Sequence, residues 1–422
     1  MPAPAPDVVD EVDVLVVGAG PAGSTAAARL AKAGYSVRMV EEHPKVGYPV
    51  QCAGLVSQRV LDLAGSTEFV RKSVRGANVF GPSMESVSFR AETLRAFVID
   101  RAGLDVYLAD RAARAGAEIR TRTRFDSVDT SSADRLTVML RGPDGATEPL
   151  RTRLVIGADG VASAVARAFR LRRPVEVLPA FEAEFPISPG DPDSVEVYLS
   201  RKFAPGLFGW WIPDGTGGAR VGIAADADGT PARVYFDHLL EFLARRFGKR
   251  LGNATAYLVS GIPIGALPRT HARRALLVGD AAAQVKPLSG GGIFTGMRCA
   301  EIAADVAAGA LARDDHSEGA LAEYDRRWRA ELGEEFRRAL YLRRLFTRLS
   351  DSELDRVIHA LKGARLAATI VAFGDIDFPT HVVRELLKES PGLVRLLPKA
   401  VGAWVSPGAY RAPELDFDAR RK

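Results

Sequence analysis

The sequence predicts a mixed α/β (α+β) fold, in which a Rossmann-like nucleotide-binding domain carries an inserted antiparallel sheet and a helical C-terminal region. Three observations support this. A short apolar run leads through a glycine-rich turn into an alanine-rich helix within residues 13–42. Between residues 175 and 264 the pattern changes to short alternating strands. After residue 274 another apolar strand, glycine-rich turn and long helix follow, which suits completion of the first domain by a distant part of the chain.

These changes of pattern set the expected domain boundaries. Residues 10–174 should form the first part of the nucleotide-binding domain, with a loop-and-strand insert at 50–98 near the active site. Residues 175–268 should form an antiparallel substrate domain, and residues 269–330 should complete the first domain. Residues 331–422 read as a helical region.

The composition is that of an ordinary folded protein: of 422 residues, 47% are hydrophobic and 26% are charged. The net charge of +5 suits anionic substrates or an anionic membrane surface and does not require nucleic acid as a partner. Two cysteines, Cys52 and Cys299, exclude a disulfide scaffold and predict a reducing, cytoplasmic compartment. We expect no metal site, no signal peptide and no membrane-spanning segment.

The first glycine-rich turn has the spacing of a dinucleotide site. Val14–Val17 predicts a buried parallel strand, and Gly18, Gly20 and Gly23 follow as G-x-G-x-x-G. Such glycines allow a tight turn, the close approach of a pyrophosphate and close helix packing, while Glu41 can accept a ribose hydroxyl. A structural glycine turn is the alternative. The residues predicted to bind the nucleotide here are Gly18, Gly20, Ala22, Gly23, Glu41 and Glu42.

Three further residues are candidates within the first domain. Cys52 lies in a loop shaped by prolines and glycines, and is either a small buried hydrophobe or an active-site thiol. Arg101 begins an amphipathic helix, where it meets a phosphate or stays exposed. Asp159 follows a buried strand in Gly157-Ala-Asp-Gly160, and is a turn former or an indirect cofactor contact.

The inserted sheet contains a dense aromatic segment, Phe208-Gly-Trp210-Trp211-Ile-Pro213. These side chains are either plain core or the wall of a long apolar substrate cavity.

The returning domain contains a second anion-favouring turn. Asp280 follows a strand and can accept a hydrogen bond from a ribityl or ribose hydroxyl. Gly290–Gly292 precede a helix that starts at Ile293, so free backbone N–H groups at its N-terminus favour negative charge. A flexible linker is the alternative. Near the C-terminus, apolar residues mixed with Arg and Lys between 381 and 399 predict a helix that lies on a lipid interface or packs on the main body.

Together these motifs resemble the flavoprotein class that shares the fold of para-hydroxybenzoate hydroxylase, over about residues 10–340. The geranylgeranyl reductase family is the most similar within that class. Its loop Pro-Val-Gln-Cys-Ala-Gly-Leu-Val-Ser is matched by Pro49–Ser57, and its Gly-Asp-Ala-Ala-x-Gln-Val-Lys-Pro-x-x-Gly-Gly-Gly stretch by Gly279–Gly292. Its cavity motif, Tyr-x-Trp-x-Phe-Pro with a later Gly-x-Gly, is matched in part, with Phe208, Ile212 and Ala224 as departures.

The resemblance implies FAD as the cofactor and Cys52 at the active site, near the flavin and the substrate double bond. It implies further FAD contacts at Ala53, Gly54, Arg101, Asp159, Gly160, Asp280, Gly291, Gly292 and Ile293. It implies substrate contacts at Phe208, Trp210, Trp211, Pro213, Gly222 and Pro287. The implied activity is reduction of isoprenoid C=C bonds in geranylgeranyl chains, above all those of digeranylgeranylglycerophospholipids of archaeal-type ether lipids.

Several alternatives stay open. An aromatic monooxygenase or halogenase could use the same fold, although a halogenase needs a catalytic lysine and Lys72 is only a distant candidate. A flavin-binding lipid carrier without catalysis is a rival of another class. Either NADPH or a ferredoxin could donate electrons, and a peripheral position at the inner face of the cell membrane would suit a lipid substrate.

Overall fold

The structure is a computed structural model that describes residues 10–132, 134–174, 176–187, 191–226 and 228–389. Most of the basic C-terminal segment expected at a lipid interface, from residue 390 onward, lies outside the described residues.

The strands are β1 (Asp10–Val17), β2 (Val37–Val40), β3 (Leu55–Val56), β4 (Val70–Val74), β5 (Gly76–Phe80), β6 (Ser86–Arg90), β7 (Ala96–Ile99), β8 (Glu118–Arg120), β9 (Arg124–Asp129), β10 (Leu136–Arg141), β11 (Thr147–Gly157), β12 (Glu176–Phe185), β13 (Ser194–Tyr198), β14 (Gly209–Pro213), β15 (Ala219–Ala224), β16 (Ala256–Ile264), β17 (His271–Ala272) and β18 (Ala275–Leu277). The helices are α1 (Pro21–Lys32), α2 (Gln58–Ala64), α3 (Arg101–Arg114), α4 (Ala164–Ala168), α5 (Ala232–Phe247), α6 (Ile293–Ala312), α7 (Glu318–Trp328), α8 (Glu334–Phe346), α9 (Asp351–Leu361), α10 (Ala364–Phe373) and α11 (Thr380–Glu389). A 3-10 turn spans Gly279–Ala282, and a π-helical turn spans Arg329–Gly333.

The first sheet has a parallel core. Its main path runs β17-β18-β11-β1-β2-β8, and β18, β11, β1, β2 and β8 pair in parallel. Residues of α1, α3 and α6 pack in one core on one face, because crossover helices must cover a parallel sheet. The mixed α/β fold predicted from the sequence is therefore confirmed.

Strand β11 is longer than the sequence pattern suggested. The buried strand predicted before Asp159 is part of one continuous strand, Thr147–Gly157. Its first half pairs with β10, and residues Leu150–Gly157 pair with β1. The hairpin formed by β10 and β11 is thus an extension of the nucleotide-binding sheet rather than a separate element.

The second sheet runs β16-β12-β15-β14-β13-β5-β6. Its neighbours are antiparallel except β13 and β5, which are parallel. The sequence pattern predicts this sheet within residues 175–268, but β5 and β6 join it from the insert at 50–98. Pairing of Gly76 with Ser194 is too distant in sequence to leave a local signal.

The central strands of the second sheet are buried on both faces. One face packs against α5 through an aromatic core that includes Phe236 and Phe242. The other face lies toward the nucleotide-binding domain, where Arg220 of β15 donates hydrogen bonds to the carbonyl oxygens of Ala53 and Ile99 at 2.8 and 3.1 Å. The space between this face and the first domain is therefore the candidate site.

The C-terminal helices join the two domains. Arg343 of α8 donates to Glu176 of β12 at 2.6 Å, while Asp375, after α10, accepts from Arg59 of α2 at 2.8 Å. Among the described residues, no helix combines the length and apolarity needed to cross a bilayer.

Candidate cofactor and substrate site

The first glycine-rich turn brings two predicted segments into contact. Gly18 has φ of +101°, and a Cβ there would lie 2.3 Å from the carbonyl oxygen of Ala158, beside Asp159. A Cβ on Gly23 would lie 2.0 Å from the carbonyl oxygen of Gly18. Gly20 precedes α1 and has open space where a Cβ would point. The turn therefore leaves room at a helix N-terminus for a pyrophosphate.

The two predicted ribose acids differ in position. Glu41 accepts hydrogen bonds from the backbone N–H groups of Ala19 and His43, both at 3.0 Å, so its carboxylate lies directly at the turn. Glu42 is exposed and lies 4.0 Å from Arg124. Of the two, Glu41 has the position that a ribose ligand needs.

Asp159 holds a helix rather than facing outward. Its carboxylate accepts from the Ser163 hydroxyl at 2.6 Å and from the Ala164 backbone N–H at 2.7 Å, which caps α4. This favours the turn-forming role over direct cofactor contact. The adjacent Gly160 has φ of +72° and open space at its Cβ position.

The segment around Gly279, which completes the nucleotide-binding domain, packs directly against the start of α1, just after the first glycine-rich turn. A Cβ on Gly279 would lie 3.1 Å from the Cβ of Ala22 in α1. A Cβ on Gly292 would lie 3.1 Å from Oδ1 of Asp280, so this carboxyl is beside the N-terminus of α6 at Ile293. Burial raises the pKa of Asp280 to about 6, and the charge of Arg101 opposes the shift.

A buried charge cluster joins Arg101 to the cysteine loop. Arg101 forms an ion pair with Asp105 one turn along α3, and its Nε has no hydrogen-bond partner among the described residues. Its charge also acts on Cys52, whose Sγ accepts from the Gly54 backbone N–H at 3.4 Å. Burial nevertheless raises the pKa of the Cys52 thiol, so the protonated form is the stable one.

The sheet face opposite this cluster is apolar. Val74, Val98 and Ile212 form one small core with Ala53 and Trp210, while Leu178, Ala224 and Ile264 form another. Trp210 touches both cores, and Phe208 lies edge-on to it at 6.4 Å between ring centroids. Sequence reasoning missed several side chains at this wall: Ile262, Leu340 and Ile376. Such a surface can hold an extended hydrocarbon chain and exclude water.

Neighbouring tryptophans of β14 face opposite ways, as strand alternation requires. Trp210 lies on the side of the cysteine loop, whereas Trp211 is fully buried in the α5 core, 5.1 Å from the ring of Phe247. The predicted substrate role of Trp211 therefore has no support in the geometry. Pro213 shares the alternation of Trp211 and is buried at the strand end.

Gly222 and Trp210 form a cross-strand pair whose geometry explains the glycine. A Cβ on Gly222 would lie 2.4 Å from Cζ2 of the Trp210 ring. Across this gap the indole Nε1 donates to Oε2 of Glu182 on β12 at 2.7 Å. Sequence reasoning missed Glu182 and Arg220, because a charged residue in an alternating strand usually marks a solvent face.

Lys286, in the matched Lys-Pro motif, and Lys72, the distant halogenase candidate, each form an ion pair with a carboxylate. Lys286, just before the buried Pro287, contacts Asp377 and the carbonyl oxygen of Ile376, each at 2.8 Å. Lys72, in β4, lies 3.4 Å from Asp193, which directly precedes β13.

A nucleotide turn, a second helix N-terminus and an apolar wall on one cleft are the arrangement of a flavin-dependent oxidoreductase. The FAD binding domain family model matches residues 11–331. A digeranylgeranylglycerophospholipid reductase of Methanothermobacter thermautotrophicus is 34% identical across 91% of this chain and 98% of the relative. The digeranylgeranylglycerophospholipid reductase of Methanocaldococcus jannaschii is 35% identical across 83% of this chain and 91% of the relative.

A solved structure with a similar fold also bears the name of a reductase-like protein. A geranylgeranyl bacteriochlorophyll reductase-like protein from Thermoplasma acidophilum has a TM-score of 0.78 and 26% identity, across 91% of this chain and 100% of that one. The chain belongs to the digeranylgeranylglycerophospholipid reductase family, within the FAD-binding-domain proteins. The family resemblance and the predicted FAD cofactor are thus confirmed.

The residues present fit FAD. Open space at Gly20 and Gly160 and the unpartnered Nε of the buried Arg101 would accommodate its phosphates, and Glu41 would hold its ribose. The N-terminus of α6 at Gly292 would stabilise negative charge on a reduced flavin.

Proposed function

We propose that this protein reduces isolated C=C bonds in the geranylgeranyl chains of digeranylgeranylglycerophospholipids. The main support for this proposal is the apolar sheet face around Trp210. It lies opposite the Cys52 loop and the turns whose residues fit FAD. The reductases that match 91% and 83% of this chain bear the name of that lipid class. Reduced FAD supplies a hydride when bound, and the protein supplies orientation, a dry environment and a proton.

The chain's own residues have separate parts in this proposal. Trp210 and Phe208 hold the prenyl chain, and Arg220 fixes the Cys52 loop against the substrate sheet through Ala53. Cys52 contacts the alkene as a neutral thiol. Ala53, Gly54, Gly291 and Ile293 also remain proposed FAD contacts. The proposed domain boundaries are those predicted from the sequence, with β5 and β6 added to the substrate domain.

The proposal is tested without oxygen. The purified protein is reduced with dithionite and mixed with di-O-geranylgeranylglyceryl phosphate, and the lipid is analysed by mass spectrometry. We expect mass gains in steps of two hydrogens together with flavin reoxidation. No gain, with rapid reoxidation in air and turnover of an aromatic compound, would support the monooxygenase or halogenase instead. Flavin that no prenyl lipid reoxidises would support the carrier.

Cys52 provides a site-specific prediction. Replacing it by Ala or Ser should slow lipid-driven flavin reoxidation while FAD content stays unchanged, because Arg220 holds the Cys52 loop against the substrate sheet and Arg101 remains. The Cys299→Ser variant is the control for thiol loss, since Cys299 is buried within α6 far from the wall. Equal rates for Cys52→Ala and the parent protein would remove Cys52 from the mechanism.

We further propose that the protein is peripheral at the inner face of the cell membrane. Its net charge is +5, and two exposed apolar side chains, Leu94 (46% exposed) and Phe373 (51%), lie on segments joined by an Arg95 hydrogen bond to Val371. Phe373→Asp should weaken sedimentation with anionic liposomes, whereas Val234→Asp, on the outer helix α5, should not. No sedimentation of the parent protein at low salt would reject this position.

The electron donor is proposed to be external, either NADPH or a ferredoxin. Anaerobic flavin reduction by each donor, measured separately, distinguishes them.

A further inference from the structure

Glu182 is a buried carboxyl in the middle of the apolar wall. We propose that Glu182 is the catalytic acid that supplies the proton to the alkene, an inference that rests on the proposed lipid reduction. It lies on β12, between Gly222 of β15 and Leu258 of β16 in the cross-strand register. Its residue exposure is 3%.

The side chain of Glu182 is directed toward the cleft by its neighbours. Gly222 leaves a gap between β12 and β14, and the Trp210 indole crosses that gap to donate to Oε2 at 2.7 Å. Within the described part of the chain, this indole is the one hydrogen-bond donor to the carboxyl. The second oxygen, Oε1, stays available for a proton.

Burial, rather than the surrounding charges, favours the protonated form of Glu182. Arg220 would be the natural partner, but its Nη1 donates to two backbone carbonyl oxygens and its Nε lies 3.4 Å from Glu184. Glu182 is thus left without a cation in contact among the described residues. Burial raises its pKa to about 7, Glu184 adds to the shift, and the Trp210 hydrogen bond and the charge of Arg220 oppose it. A general acid works best when its pKa is near the working pH.

The carboxyl is also close to the reacting region. The charge of Glu182 is among those that raise the pKa of the Cys52 thiol. An alkene held between Trp210 and the cysteine loop therefore lies between the proton source on the sheet and the flavin-binding turns.

The proposed step balances. The hydride, which carries two electrons, goes from reduced FAD to one alkene carbon, and the Glu182 proton goes to the other. The C=C π bond, the carboxyl O–H bond and the N–H bond of the reduced flavin that donates the hydride break, and two C–H bonds form. FAD ends oxidised, the lipid has gained two hydrogens, and the Glu182 carboxylate regains a proton from solvent before the next turnover.

The test is single-turnover reoxidation of the dithionite-reduced holoenzyme by di-O-geranylgeranylglyceryl phosphate, measured across the neutral pH range. Glu182→Gln keeps an acceptor for Trp210 and a similar volume but has no acidic proton. We expect a rate loss of about 10²- to 10⁴-fold. The parent rate should fall as pH rises through the pKa of Glu182, and the variant should lose that dependence. Glu241→Gln, on the exposed side of α5, is the matched control.

A second variant distinguishes the loss of a catalytic acid from a folding defect. Trp210→Phe removes the hydrogen bond that favours the ionised carboxyl, so the midpoint of the pH profile should move to higher pH. Parent-like rates and pH profile in Glu182→Gln, or an unmoved midpoint in Trp210→Phe, would overturn the assignment. Absence of any lipid reduction by the parent protein would instead overturn the proposed function, so the two failures are distinguishable.

Discussion

The contact between Gly222 and Trp210 allows the effect of a single methyl group to be worked out. In Gly222→Ala the new Cβ would lie 2.4 Å from Cζ2, 2.5 Å from Cε2 and 2.8 Å from Nε1 of the indole. Real Cβ atoms do not come so close, so the ring must move. Its movement breaks the hydrogen bond to Glu182.

Two costs add in this variant. Forcing a side chain out of a packed position costs about 1–3 kcal/mol. Leaving a buried polar group without its partner costs about 1–3 kcal/mol more. We therefore expect the free energy of unfolding to fall by about 2–6 kcal/mol, with loss of lipid turnover because Trp210 no longer forms the wall.

The assay is urea unfolding of the holoprotein, followed by circular dichroism, with lipid-driven flavin reoxidation measured in parallel. Gly319→Ala is the matched control, because its new Cβ would be 3.9 Å from the closest atom and lies in helix α7. There we expect no loss of stability, since alanine favours a helix over glycine by about 0.5–1 kcal/mol. A Gly222→Ala protein as stable and active as its parent would refute the reasoning.

Three further predictions concern other parts of the molecule. Gly23→Ala places a Cβ 2.0 Å from the carbonyl oxygen of Gly18 and should abolish FAD retention, measured as flavin content after gel filtration. Asp377→Asn removes the counter-charge of the buried Lys286 and should lower the free energy of unfolding by about 3–5 kcal/mol; a change no larger than that of an exposed ion pair would contradict this. Because burial raises the pKa of Glu182 to about 7 from 4.5, the unfolded chain loses this proton first as pH rises. Stability should fall between those two pH values by about 3 kcal/mol and then level off, and Glu182→Gln should remove that fall, as urea unfolding at several pH values will show.

Much of the fold was predictable because its signals are local. The glycine spacing at Gly18–Gly23 fixes a turn between a strand and a helix wherever it occurs, and Gly290–Gly292 similarly mark the start of α6. The convergence of these segments followed from parallel-strand topology, since the carboxyl ends of such strands share one edge. The position of Asp280 beside α6 was therefore within reach of the sequence.

The polar members of the wall were not predictable in the same way. Glu182 and Arg220 alternate with apolar residues along their strands. This pattern is equally typical of a strand with one solvent-exposed face and of a strand whose second face is covered by another domain. Strand alternation requires Trp210 and Trp211 to face opposite ways, yet both were predicted to contact substrate, because the sequence did not tell which face meets the cleft. That choice depends on where α5 packs, which is a matter of tertiary contact.

The strand that carries both tryptophans is shared by two compartments, and it therefore couples their shapes. Trp211 rests on Phe247 in the α5 core, while its neighbour Trp210 forms part of the opposite wall. Because packed interiors transmit changes of volume instead of absorbing them, a larger or smaller residue at position 247 would tilt β14 and resize the cleft from behind. Selection among prenyl chains of different length or saturation can thus be adjusted by residues that no lipid ever touches.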